Sequence, residues 1–244
     1  MDISVSTNAG VVDAFLANAK ASPATSTRYL ISNEGHIAFD DSGVNGPLVI
    51  AMPGMGDLRH QYRRLRPYFD QAGLRLVTMD PRGQGESSIS WGDFSAKAAA
   101  QDVLRLMDEL GADQAFIAGN SYTAGAAAWA AFLAPKRIKG IILLGPIMRD
   151  IPVSPWLRAL IRIGFMGPWK IQFWLAYWNS LFPSKKPADH KQFRESLKAS
   201  LSKTGRMDVL YKMINLSKAE TENIIGKVNV PSLVVMGTKR RLSM

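Results

Sequence analysis

The chain contains no cysteine. It can therefore form no disulfide bond, bind no metal through a thiolate and use no cysteine nucleophile. Histidine is almost as scarce, because only three are present, at His36, His60 and His190. Within this sequence, chemistry that needs an imidazole base must use one of these three side chains.

The sequence also lacks long apolar runs and the pattern of a secretory signal peptide. No apolar stretch reaches the roughly 18 residues that a membrane-spanning helix needs. Asp2 and Asp13 precede the first lysine, Lys20, so the beginning of the chain does not resemble a secretory signal. The predicted location is the cytoplasm.

The overall composition is that of an ordinary globular protein. Of the 244 residues, 47% are hydrophobic and 20% are charged. This balance excludes disordered, collagen-like and coiled-coil classes. The chain is also long enough for one large domain or two small ones.

Positive charge is in excess, and it is unevenly placed. The formal net charge is +10, and between Asp150 and Lys218 twelve Lys and Arg stand against four Asp and Glu. No nucleic-acid-binding module accompanies this charge, so no nucleic-acid partner is expected. A solvated basic face is the main interpretation, and a weak attraction to an anionic membrane surface is a second one.

Strand and helix patterns alternate along most of the chain. The first pair of β-rich runs, at 27–32 and 36–39, predicts a hairpin. The later strands are short continuous apolar runs, and helical spacing separates most of them. The predicted strands are 48–52, 74–79, 115–119, 138–144 and 232–236, and the predicted helices are about 10–20, 59–72, 94–110 and 122–134. Such units predict an α/β fold, a mostly parallel twisted sheet with helices on both faces.

A helical insertion, or cap, is predicted at residues 147–217, because no strand pattern appears there. It divides the chain into a first core part at 1–146, the cap, and a second core part at 218–244. The cap is rich in aromatic residues: Trp156, Phe165, Trp169, Phe173, Trp174, Tyr177 and Trp178. Either they line an apolar substrate pocket or they form the cap's own core, and both interpretations stay open.

The first chemical motif is Gly119-Asn120-Ser121-Tyr122-Thr123, which joins a predicted strand to a predicted helix. A serine on such a sharp turn is held above the sheet, as in the Gly-x-Ser-x-Gly nucleophile elbow. Here Thr123 stands at the last glycine position. The alternative is a serine that caps the helix N-terminus, but the strand-turn-helix context favours a nucleophile at Ser121.

A glycine-rich turn follows another predicted strand, at Pro53-Gly54-Met55-Gly56-Asp57. Acyl transfer to a serine needs N–H donors for the oxyanion, and a loop of this kind can provide one. The candidate donors are the backbone N–H groups of Met55 and Tyr122. The alternative is a simple turn in which Asp57 is the N-cap of the next helix, and Asp57 is expected to be that cap in either case.

A third motif, Asp80-x-Arg82-Gly83-x-Gly85-x-Ser87, follows the next strand. Together with Pro53-Gly54 and Gly119-x-Ser121, it resembles the α/β-hydrolase fold superfamily, in the branch of serine esterases, lipases, aminopeptidases and cofactor-free haloperoxidases. The resemblance covers about residues 26–237. It implies a structural role for the 80–87 turn, with no catalytic role for Asp80, Arg82 or Glu86. It also implies an ester-like small-molecule substrate with no cofactor and no metal, and the cap aromatics suggest that this substrate is apolar.

The same resemblance implies a catalytic acid after the seventh strand and a histidine after the eighth. Residues 238–244 contain neither, so we expect a chain shortened before its last strand and helix. His60 and Asp150 are weak substitutes for the base and the acid. Since loss of the histidine lowers turnover by about 10⁴ to 10⁶-fold, this chain is expected to be close to inactive.

Two functions remain open from the sequence. The first is a serine hydrolase that forms an acyl-enzyme at Ser121. The second is a non-catalytic protein that uses the cap pocket for binding. The sequence does not predict an oligomeric state.

Overall fold

The computed structural model describes residues 26–183 and 186–237. The helix predicted at about 10–20 and the segment 238–244 lie outside the described residues.

A single seven-stranded sheet forms the centre of the molecule, in the order β1-β2-β4-β3-β5-β6-β7. The strands β1 to β7 are Arg28–Ser32, Gly35–Asp41, Leu48–Met52, Arg75–Met79, Ala115–Asn120, Ile138–Leu144 and Ser232–Val235. β1 pairs antiparallel with β2, and β2 pairs antiparallel with β4. All other neighbours are parallel. The predicted fold class and the predicted hairpin are confirmed.

Helices cover both faces of the sheet. The helices α1 to α8 are Arg66–Gln71, Ala96–Glu109, Thr123–Leu133, Pro155–Met166, Lys170–Ser180, His190–Leu201, Arg206–Ile214 and Ala219–Ile225, and a 3₁₀ helix spans Arg59–Arg64. Alternate residues of β3 belong to different cores, since Ile50 packs with α2 and α3 while Val49 packs with Tyr62 and Phe69 on the opposite face. Burial on both faces explains why the strands are continuous apolar runs.

The helix predicted over residues 59–72 is broken. A 3₁₀ helix ends at Arg64 and α1 begins at Arg66, with Leu65 between them. Pro67 lies in the first turn of α1. Because proline has no N–H to donate to the preceding turn, a continuous helix cannot pass through this point, although proline is well accommodated where a helix begins.

The segment between β6 and β7 is helical, and α4 to α7 form a core of their own. Phe165, Trp174, Trp178, Phe193 and other buried apolar residues make up this cluster. For Trp174 and Trp178, the structure therefore agrees with the interpretation that the aromatic residues form the cap's own core. The boundaries of a separate cap domain stay a prediction.

No helix within residues 26–183 and 186–237 is both long enough and apolar enough to cross a membrane. The cytoplasmic location stays a prediction.

Candidate active site

Strand pairing brings two of the predicted motifs together. Met52, at the end of β3, pairs with Gly119, next to the end of β5. The two strands are parallel, so the glycine-rich turn and the serine turn leave the same edge of the sheet side by side. A Cβ placed on Gly54 would lie 3.5 Å from the Cβ of Ser121. The predicted neighbourhood of the two motifs is therefore present.

Ser121 lies at a strained turn between β5 and α3. Its φ is +59°, and it is the one non-glycine residue with positive φ among those described. Its N–H donates to the Leu144 carbonyl at 2.8 Å, and its carbonyl accepts from the N–H of Ile147 at 3.1 Å. The N-cap of α3 is Tyr122, and no side chain among the described residues caps this helix. The capping interpretation of Ser121 is therefore wrong, and the strained position is typical of a functional residue.

The elbow excludes a side chain at one of its positions. A Cβ on Gly119 would lie 2.2 Å from the Thr123 carbonyl oxygen, so the turn from β5 into α3 needs glycine there. Thr123, at the position of the last glycine in the motif, is fully buried. Its Oγ1 accepts from the Asn120 N–H at 2.8 Å and lies 3.0 Å from the Pro53 carbonyl oxygen. This threonine joins the serine turn to the glycine-rich turn.

Replacing Ser121 by Gly and by Ala tests whether the turn is strained. Ala keeps the Cβ that is unfavourable at positive φ, whereas Gly removes it. We expect Ser121→Gly to be more stable than Ser121→Ala by about 1 kcal/mol. Urea unfolding of the two variants side by side measures this difference. Equal stabilities, or a more stable Ala variant, would show that the left-handed turn stores no strain.

The candidate oxyanion donors have free N–H groups. Within the described part of the chain, neither the Met55 N–H nor the Tyr122 N–H donates a hydrogen bond. The neighbouring Gly56 N–H donates to Gln84 Oε1, and Gln84 Nε2 donates to the Tyr122 hydroxyl at 2.9 Å. Burial raises the pKa of Tyr122, so its hydroxyl stays neutral. Gln84 therefore fixes both turns while the two candidate donors stay available.

Two tryptophans of α5 attach the cap to the glycine-rich turn. Trp174 Nε1 donates to the Gly56 carbonyl at 3.1 Å, and Trp178 Nε1 donates to Asp57 Oδ2 at 3.2 Å. Burial raises the pKa of Asp57 to about 6, although hydrogen bonds from the Leu58 N–H and Trp178 oppose the shift. The cap thus contacts the turn that holds one candidate oxyanion donor.

The expectation that Asp57 caps the next helix is wrong. The N-cap of the 3₁₀ helix is Leu58, which makes no side-chain cap. Asp57 Oδ1 accepts from the Leu58 N–H at 2.8 Å, and Asp80 Oδ1 accepts from the Arg59 N–H at 2.7 Å. Asp80 therefore supplies the carboxylate at this helix start, a structural role for the 80–87 turn.

A cavity of about 610 Å³ opens beside the serine turn. Met55 and Tyr122 line it, and Met148, Met213 and Leu216 provide apolar surface. Lys97 and Lys218 add positive charge to the lining. The volume lies in the range of small-molecule sites.

All three histidines lie within the described residues, and each has partners away from Ser121. His36 contacts the Ser88 hydroxyl and the Glu86 carbonyl, both at 2.9 Å. His60 Nε2 lies 3.4 Å from Asp40 Oδ2. His190 Nε2 lies 2.9 Å from Asn179 Oδ1, and its ring stacks on Trp178.

The structure does not bring the two weak substitutes together. His60 is half exposed and pairs with Asp40. Asp150 accepts from the Ser217 hydroxyl at 2.7 Å and from the Lys218 N–H at 3.0 Å. These bonds lower the pKa of Asp150. Asp150 therefore links the start of the cap to the segment before α8, and no histidine contacts it within the described residues.

Within the part of the chain that the structure describes, no group of three or more His, Asp or Glu side chains could hold a metal ion.

Sequence reasoning missed Thr123 as a tie between the two turns, and it missed Gln84, Trp174 and Trp178 as contacts of the site. These side chains reach the site from positions far apart in the sequence, since Gln84 and Tyr122 are 38 residues apart and Trp174 and Gly56 are 118 apart. No local spacing signals such contacts. For Thr123, its place inside the elbow motif was the available signal.

The known proteins that are similar in sequence to this chain include hydrolases. Epoxide hydrolase B of Mycobacterium tuberculosis is 34% identical over 99 residues, which are 40% of this chain and 28% of that protein. The 2-hydroxy-6-oxo-6-phenylhexa-2,4-dienoate hydrolase of Comamonas testosteroni is 33% identical over 115 residues, 45% of this chain and 40% of that protein. The match thus spans less than half the length of each of these two relatives.

Solved structures and a family model extend this likeness. A hydrolase from Pseudomonas aeruginosa superposes with a TM-score of 0.70 at 22% identity, over 88% of this chain and 81% of that one, which shows a shared fold. The model of the alpha/beta hydrolase fold family matches residues 47–240. Because this match covers most of the chain, the protein belongs to the alpha/beta hydrolase fold family.

Proposed function

We propose that this protein is a serine hydrolase of carboxylic esters or related acyl compounds, with Ser121 as its nucleophile. The observation that carries the proposal is a serine at φ +59° between β5 and α3, next to Tyr122 and 3.5 Å from a Cβ placed on Gly54, in the turn that holds Met55. Among the described residues, the Met55 and Tyr122 N–H groups have no acceptor. Nucleophilic serines occupy such turns in enzymes of this family.

The reaction has two halves. Ser121 Oγ forms a bond to the substrate carbonyl carbon, and the carbonyl electron pair moves to the oxygen, where the Met55 and Tyr122 N–H groups stabilise the negative charge. The carbonyl then re-forms, the alcohol leaves with the proton that Ser121 Oγ has lost, and an ester on Ser121 remains. Water attacks this ester in the same way, which releases the acid and restores the serine hydroxyl.

A serine nucleophile favours carbonyl substrates over epoxides. Attack of a hydroxyl oxygen on an epoxide carbon would leave an ether on Ser121, which water does not cleave under mild conditions. Attack on a carbonyl gives an ester, which the same oxyanion donors help to hydrolyse. Residues 119–123 contain no carboxylate that could form an ester by opening an epoxide. The similarity to epoxide hydrolases therefore supports the fold and a hydrolytic reaction more than it supports an epoxide substrate.

The cavity supports a small substrate with an apolar part. Met148, Met213 and Leu216 provide apolar surface, and Met55 and Tyr122, the candidate oxyanion donors, line the same cavity. The dienoate hydrolase relative acts, by its name, on a compound with a phenyl ketone. An aromatic or aliphatic acyl group of similar size is the substrate class proposed here.

Binding without turnover is the second candidate function. It is favoured by one observation, that all three histidines have partners other than Ser121. Without a base the serine is a weak nucleophile, so we propose that the 244-residue chain by itself is nearly inactive. A cavity of about 610 Å³ could still hold a ligand.

A trifluoromethyl ketone with a phenyl group distinguishes the two candidates, because its carbonyl adds a hydroxyl to form a tetrahedral hemiketal. The trifluoromethyl group makes this addition favourable at equilibrium, and the lack of a base slows it without preventing it. After long incubation we therefore expect ¹⁹F NMR to show a hemiketal in the wild-type protein and in Ser217→Ala, a control serine that lines the same cavity. Ser121→Ala should lose the signal, because the bond to Oγ cannot form.

Two results would contradict the proposal. Ketone binding that Ser121→Ala leaves unchanged, with no hemiketal in any variant, would favour the binding protein. Steady Ser121-dependent hydrolysis of styrene oxide would show that the substrate class is wrong.

A further inference from the structure

The helix α4 exposes an apolar face instead of burying it. Trp156, Leu160, Ile163 and Met166 are between 43% and 72% exposed. Leu160 follows Trp156 by four residues, and Ile163 follows Leu160 by three. These three side chains therefore lie in one row along the helix. The buried side of α4 is a different one, which holds Gly164 and Phe165.

Trp169 continues this row beyond the end of α4. Its Nε1 donates to the Ile163 carbonyl at 3.1 Å, and its ring lies against Gly167. Half of the side chain is exposed. We call Trp156, Leu160, Ile163, Met166 and Trp169 the apolar strip. The strip continues past the end of α4, because the bond to Ile163 holds the Trp169 indole against the C-terminal turn of the helix.

Charge of one sign accompanies the apolar strip. Residues 151–188 contain five Lys and Arg and no Asp or Glu. Arg158 and Arg162 are exposed, and within the described residues they make no ion pair. Arg158, Arg162 and Met166 are spaced four residues apart, so the two arginines follow one edge of the helix, and this edge meets the apolar strip at Met166. Lys170 of α5 is paired with Asp208 of α7 at 2.9 Å.

The apolar strip and the arginines next to it together suit a partner that has an apolar interior and a negatively charged surface. Indole rings with a polar N–H suit the boundary of a bilayer, and arginine side chains can extend from it to phosphate groups. A second copy would present the same uncompensated positive charge to this face. A nucleic acid would offer phosphates but nothing to bury leucine, isoleucine and methionine.

We propose that the apolar strip of α4 and Trp169, with Arg158 and Arg162 beside it, binds an anionic lipid surface. The contact lies on the cap, and it does not depend on the chemistry of Ser121. The helix would lie in the plane of the interface, with its apolar residues at the level of the head groups and upper acyl chains.

The test is flotation of the full chain with vesicles. We expect binding to vesicles of phosphatidylcholine with phosphatidylglycerol, and at least tenfold weaker binding to phosphatidylcholine alone. Added salt should weaken binding, because it screens the attraction to the lipid head groups.

Two double variants separate the two parts of the surface. Trp156→Ser with Ile163→Ser should weaken binding at least tenfold, since it removes apolar contact. Arg158→Gln with Arg162→Gln should weaken it by about tenfold or more on anionic vesicles only. Ile31→Ser with Lys136→Gln is the matched control, because it removes one exposed apolar side chain and one positive charge outside the cap. It should bind like wild type.

Four results would overturn the proposal. The first is no flotation of a folded, monodisperse protein, and the second is equal binding to both vesicle types. The third is an equal loss of binding in the control variant. The fourth is a dimer in solution that Trp156→Ser with Ile163→Ser dissociates, which would identify the strip as an interface between copies. Circular dichroism and size-exclusion chromatography of every variant confirm that each is folded.

Discussion

Arg59→Met is expected to lower the free energy of unfolding by about 3 to 5 kcal/mol. The guanidinium is 1% exposed and contacts three carboxylates, those of Asp80, Asp40 and Glu86. Burial alone would lower the pKa of Arg59, but these carboxylates raise it, so the group keeps its charge. Without the arginine, the fully buried Asp80 would keep its N–H donors but lose its counter-ion.

Arg64→Met is the matched control for this prediction. Arg64 is the last residue of the same 3₁₀ helix, is 53% exposed, and contacts Asp189 at 3.1 Å. An exposed pair of this kind contributes less than about 1 kcal/mol. Urea unfolding followed by circular dichroism measures both variants. If the two losses agree within about 1 kcal/mol, the buried cluster is no more important than a surface ion pair.

The central strands could be predicted because each is a short apolar run that stands out from its neighbours. Leu48–Met52 and Ile138–Leu144 have the bounds that the sequence predicts. The turn at Ser121 was also predictable, since an apolar run changes there into an alanine-rich helical pattern through small residues. Local features of this kind depend only on residues close in sequence.

Features that depend on distant residues were not predictable in this way. The bond from Arg59 to Asp80 joins positions 21 apart, and the bond from Trp174 to Gly56 joins the cap to the core. Each bond depends on how the helices and strands pack together, and neither produces a periodic pattern in the sequence. The break at Leu65 is different, because Pro67 is a local signal in the sequence for the start of a new helix.

Ser121→Ala is expected to change ester hydrolysis by the 244-residue chain less than about tenfold. Serine and base act as one unit, so when one is not in place, removing the other has little further effect. His36, His60 and His190 all have other partners. Relative to a hydrolase with an assembled base, the rate should be lower by about 10⁴ to 10⁶-fold.

Hydrolysis of p-nitrophenyl acetate and the rate of labelling by a fluorophosphonate, which normally needs an activated serine, measure this effect. Both rates should be slow, and both should stay nearly the same in His36→Ala, His60→Ala and His190→Ala. A fall of about 10³-fold or more in Ser121→Ala would show that a base does serve the serine. The histidine variant with the same loss would then identify it, with His60 the first to examine because it lies on the 3₁₀ helix that follows the glycine-rich turn.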